Sequence, residues 1–65
     1  MLTSQMAHHL DALPQAQQQV VRGIYLQELS QQELADLLGV PLGTIKSRLR
    51  LALQKLKEHV EQEHD

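Results

Sequence analysis

Residues 30–51, SQQELADLLGVPLGTIKSRLRL, decide the fold: two short helical patterns meet at Gly39, and the second carries Lys46, Arg48 and Arg50 with no acid among them. Ser30-Gln31-Gln32-Glu33 has the form of a capping box, in which the Ser30 hydroxyl accepts from the N–H of Glu33 while the Glu33 carboxylate accepts from the N–H of Ser30. Leu34, Leu37 and Leu38 then recur at helical spacing and are expected to bury one face, with Ala35 small enough for another helix to come close. Gly39 takes the left-handed conformation that ends a helix without steric cost. Pro41, with φ preset and no N–H to satisfy, suits the first turn of the next helix. A short helix, a tight turn and a basic second helix are the sequence form of a helix-turn-helix whose ligand is duplex DNA.

On a wheel of about 100° per residue, Leu42, Ile45, Leu49, Ala52, Leu53, Leu56 and Val60 fall in one arc, the expected core stripe. Gly43, Thr44, Ser47, Arg50, Leu51 and Gln54 lie opposite, with Lys46, Arg48, Lys55 and Lys57 on the flanks. Short polar side chains near the helix start suit base edges or phosphates, and the longer cations suit the DNA backbone. Gly43 has no side chain to hold off a sugar-phosphate strand. Leu51 is an apolar residue on the exposed arc, able to touch thymine methyls, lie under an inhibitory partner, or be surface only.

Charge follows the same division. The net charge of −2 does not suit a nucleic-acid ligand until its distribution is read. Residues 1–40 carry Arg22 against Asp11, Glu28, Glu33 and Asp36; residues 41–57 carry five cations and no acid; residues 58–65 carry four acids and no Lys or Arg. The acidic end is expected to be a solvated terminus directed away from DNA.

Upstream, Leu2, Met6, Leu10 and Leu13 give a weak helix over 2–12, ended by Leu13-Pro14. A second helix is expected from Gln15 to about Leu26, with Val20, Val21, Ile24 and Tyr25 supplying apolar contacts and Gly23 marking close helix packing. The expectation is an all-α fold, a small four-helix domain with the helix-turn-helix at about 30–51. A chain of 65 residues makes one small domain that buries only roughly 60% of its unfolded surface. Tyr25 is its only Phe, Trp or Tyr, so the core is built from Leu, Ile, Val and Ala.

Other chemistries find no anchor. There is no cysteine for a disulfide and no apolar run long enough to span a bilayer. The first residues lack the form of a signal peptide, which favours the cytoplasm. His8 and His9 diverge on a helix, and His59 and His64 sit near the chain end; all four read as surface side chains, with no metal and no cofactor expected. Gln17, Gln18 and Gln19 read as solvent-facing. No nucleophile with its base, buried carboxylate pair or phosphate-cradling loop is present, and no enzyme activity is expected.

The stretch LPQAQQQVVRGIYLQELSQQELADLLGVPLGTIKSRLRLALQKLKEHV, residues 13–60, resembles region four of bacterial sigma factors, most of all the extracytoplasmic-function group. Leu13-Pro14, Leu29-Ser30 with Glu33-Leu34-Ala35, and the run Gly39 to Leu49 carry the likeness. The resemblance implies recognition of the minus-thirty-five promoter element, docking on the flap of the RNA polymerase β subunit, capture by an anti-sigma factor, and a monomer. Residue by residue it implies Pro41, Gly43, Thr44, Lys46, Ser47 and Arg50 as the DNA contacts, with Arg48 a neighbouring phosphate contact. The chain departs from many relatives in having Leu51 and Leu53 where they continue with arginines, and Ile24 where they carry one near the end of the preceding helix. Fewer cations mean fewer phosphate contacts and a shallower salt dependence. A sigma factor also needs a region that melts the minus-ten element, so the chain is expected to be a C-terminal fragment of a longer one. Two other readings stand beside this: a protein-interaction module, and a stand-alone helix-turn-helix regulator that dimerises on paired half-sites.

Overall fold

The computed structural model describes residues 9–63, with the side chains of Val60, Gln62 and Glu63 outside the description. Among the described residues it has three α-helices: α1 (Gln15–Val21), continued by a π-helical turn over Arg22–Leu26, then α2 (Gln31–Leu38) and α3 (Leu42–Glu63). The fold is all-α. The expected first helix over 2–12 lies mostly outside the described residues; at its end His9 and Leu10 are helical and Asp11 and Ala12 turn.

Each local signal works through the atoms it names. The Glu33 N–H donates to Ser30 Oγ at 3.0 Å and the Ser30 N–H to Glu33 Oε1 at 2.9 Å, closing the capping box. Gly39 ends α2 at φ 68°, and the Val40 N–H reaches back to the Ala35 carbonyl at 3.0 Å, the long bond of a Schellman end. Pro41 stands just before α3 rather than within it, and its carbonyl accepts from Thr44 at 3.0 Å and Ile45 at 3.4 Å.

The core is one cluster: Leu10 and Leu13, Val20 and Val21 of α1, Leu34 and Ala35 of α2, and Ile45, Leu49, Ala52 and Leu56 of α3. Leu42 is half-buried, and Ile24, Leu29, Leu38, Val40 and Leu53 pack against the cluster's edge. Both α1 and α2 pack on α3, so α3 is the spine; its length of about 33 Å accounts for most of the molecule's 40 Å long dimension.

Several side chains depart from expectation. Leu37 is 69% exposed: Leu34 and Ala35 take the side of α2 that meets the core, and Leu37 stands off it. Tyr25 and Leu26 are also exposed. Bonds that reach five residues back put an extra residue in the π turn, so positions counted at 3.6 residues per turn from Val21 drift off the core side. Gly23 is where the π turn and α2 come together: a Cβ there would stand 2.8 Å from Leu34 Cδ1 and 3.0 Å from Cδ2. His9 is not a surface residue, being 7% exposed with its ring stacked on His59 at 5.5 Å between centroids, which joins the N-terminal segment to α3. Gln18 is not filler, since its Nε2 donates to the Leu13 carbonyl at 2.8 Å and ties α1 to the preceding turn.

Candidate nucleic-acid interface

With Ile45, Leu49, Ala52 and Leu56 fixed inward, the opposite arc of α3 faces outward. Pro41, Gly43, Lys46, Ser47 and Arg50 are exposed, and Thr44 and Arg48 are half-exposed. All seven sequence-predicted residues therefore lie on the turn or the first three turns of α3, within one continuous outward surface. Gln54 and Leu51 extend it by a further turn.

The surface begins at a helix start, where the first amides have no intrahelical acceptor and the helix dipole favours an anion. A Cβ on Gly43 would meet nothing within 4 Å, so no packing inside the domain requires a glycine there. Lys46, Arg48 and Arg50 have no acid of α3 within four positions, since the helix's first acid is Glu58. Beyond them Lys57 Nζ lies 3.9 Å from Glu61 Oε1, marking the place where the basic half gives way to the acidic one. The arrangement can accept phosphates along its flanks and present Thr44 and Ser47 hydroxyls between them.

A second surface lies on α1 and α2. A groove of about 250 Å³ is lined by Gln15, Gln18, Gln19, Arg22 and Gln27 on one side and Leu34, Leu37 and Leu38 on the other. Arg22 at its rim pairs with Asp11 at 3.1 Å. Sequence reasoning missed this groove because it placed Leu37 in the core; the signal available was Ala35, whose small side chain shows which side of α2 meets α3. Among the described residues no group of three His, Cys, Asp or Glu side chains is placed to hold a metal ion, and no helix is long and apolar enough to cross a membrane.

Comparison with known proteins agrees with the geometry. The family model for sigma-70, region 4 matches residues 9–58. The chain is 48% identical over 48 residues to the ECF RNA polymerase sigma factor RpoE of Cereibacter sphaeroides, covering 74% of this chain and 26% of that protein. It is 38% identical over 52 residues to the RNA polymerase sigma factor HrpL of Pseudomonas syringae pv. syringae, covering 80% of this chain and 28% of that protein. The chain thus spans little more than a quarter of the length of these curated relatives. No solved structure matches. The capped α2, the Gly39 turn and the basic outward face of α3 all fall within the matched residues, and the chain belongs to the sigma-70 region 4 family.

Proposed function

We propose that this chain is the promoter-reading domain of a sigma factor, binding the minus-thirty-five element through α3 and acting as a fragment of a longer cytoplasmic protein that directs RNA polymerase. The observation that carries it is the outward face of α3: Pro41, Gly43, Thr44, Lys46, Ser47, Arg48 and Arg50 on one accessible surface, cationic over its length and open at Gly43. Lys46 and Arg50 read bases or hold phosphates, Arg48 holds a phosphate, and Thr44 and Ser47 fix register. The role is binding, not catalysis, by a monomer on one asymmetric element.

The second surface favours a further partner. Leu37, Leu34 and Leu38 of α2 make an apolar wall that includes none of the cations of α3, suited to a protein rather than to DNA, and we assign to it docking on the polymerase β flap or capture by an anti-sigma factor. On this reading protein docking adds to DNA binding and does not replace it.

Charge reversal separates the two surfaces. Lys46→Glu with Arg50→Glu should abolish DNA binding in a gel-shift or anisotropy assay while leaving flap binding unchanged. Leu37→Glu should do the reverse. Loss of both activities in either variant, with the fold intact by circular dichroism, would sink the assignment.

A further inference from the structure

We propose that Leu51 reads sequence as well, selecting thymine through its C5 methyl at one position of the bound duplex; this rests on the promoter-reading function above. Leu51 is 45% exposed and is the exposed large apolar residue of α3 among the described residues. It belongs neither to the core cluster nor to the side chains packed against that cluster. Lys, Arg or Gln would serve the helix there about as well as leucine, and the neighbouring outward positions use them.

Leu51 is also not part of an apolar docking patch. Its surface neighbours three and four positions away on the helix are Ser47, Arg48, Gln54 and Lys55, all polar or charged. The other exposed apolar residues, Tyr25, Leu26 and Leu37, belong to the π turn and α2. A lone leucine among two cations and two neutral polar residues is poorly matched to a protein partner and well matched to a groove that is polar except at one chemical group.

That group is the methyl of thymine, the apolar feature the major groove presents. Thr44, Ser47 and Leu51 stand at positions i, i+3 and i+7, along one line of the helix. Leu51 lies about 6 Å beyond Ser47 along the axis, less than two base-pair steps of about 3.4 Å. With the start of α3 in the groove, the isobutyl group comes opposite the next base edges while Arg48, Arg50 and Lys55 reach the phosphates beside it. Opposite a G·C pair it would cover donors and acceptors with nothing to offer them, so the residue selects by contact and by exclusion.

The test uses a duplex enriched by this chain from a randomised pool, in which each thymine in turn is replaced by deoxyuridine, a change that removes only the methyl. Anisotropy titrations at fixed salt should show one position where the replacement weakens binding by about three- to fourfold, the effect of one buried methyl-sized group. Leu51→Ala should bind with no such sensitivity, and its own enriched sequences should lose the thymine. The proposal is overturned if the native chain prefers the enriched duplex to a scrambled one yet ignores every replacement, or if Leu51→Ala keeps the same sensitivity. If the chain enriches nothing and does not distinguish the duplexes, promoter reading itself falls and takes the Leu51 role with it.

Discussion

Two residues show how far single side chains were readable. Ser30 and Glu33 were legible as a capping box because its chemistry is local: four consecutive residues supply both donors and both acceptors. The bond from the Ser30 backbone N–H, and after it the Ser30 hydroxyl, holds the Glu33 carboxyl below the usual glutamate range. A lowered pKa in the fold means the ionised carboxylate stabilises it, fully above the unfolded value, and that this contribution is lost as pH falls through the folded one. Acidification should therefore lower the melting temperature of the native chain more steeply than that of Glu33→Ala, as followed by circular dichroism. Gly43 is the opposite kind of residue, since no packing inside the domain requires a glycine there. With open space around the missing Cβ, Gly43→Ala should raise stability by up to about 1 kcal/mol in urea unfolding. On the proposed binding mode the same change should weaken DNA binding, because the methyl would stand where a sugar-phosphate strand is to approach. A stabilised variant with unchanged affinity would show that Gly43 does not face the ligand.

At the scale of elements, α3 was legible over its described length because its apolar period is regular. Ile45, Leu49, Ala52 and Leu56 repeat at four, three and four residues, and all four are buried. The end of α1 was not, because a period of 3.6 fails once the backbone takes a π turn. Tyr25, expected to supply an apolar contact, stands outward in the fold. Gly23 was read correctly as a close approach, though the sequence did not reveal its partner, Leu34. Gly23→Ala gains helix propensity but drives a methyl against the two Leu34 methyls inside a full core, where overpacking costs about 1–3 kcal/mol. The net result should be destabilisation by about 1 kcal/mol in urea unfolding. Gly23→Ala with Leu34→Val should recover part of the loss, and an unchanged midpoint for Gly23→Ala would deny the contact. Leu37 failed for a related reason: in an eight-residue helix three leucines fit more than one face, and Ala35, which marks the side that meets α3, decides between them.

For the whole molecule, the partition of charge matters more than its sum. A net charge of −2 hides a helix that is basic through Lys57 and acidic from Glu58 onward, so one end of α3 attracts a duplex and the other repels it. The outward placement of the seven candidate residues was legible because exposure along α3 follows from the wheel. The groove on α1 and α2 was not, because its walls come from separate elements whose meeting no local pattern records. With Lys46, Arg48, Arg50 and Lys55 as phosphate contacts, the slope of log K against log salt should be roughly −3 to −4, shallow for a DNA-binding protein, and Lys46→Gln should reduce it by about 1.

The most direct test of the central claim, that the outward face of α3 reads promoter DNA, is an NMR titration of the labelled chain. A short duplex carrying a GGAAC-type minus-thirty-five element would be run beside a scrambled duplex at two salt concentrations. The account predicts selective shifts of Gly43, Thr44, Lys46, Ser47 and Arg50 with the promoter duplex, weakening as salt rises. If neither duplex moves these resonances at low salt, the account is contradicted, and the groove beside Leu37 becomes the chain's principal working surface.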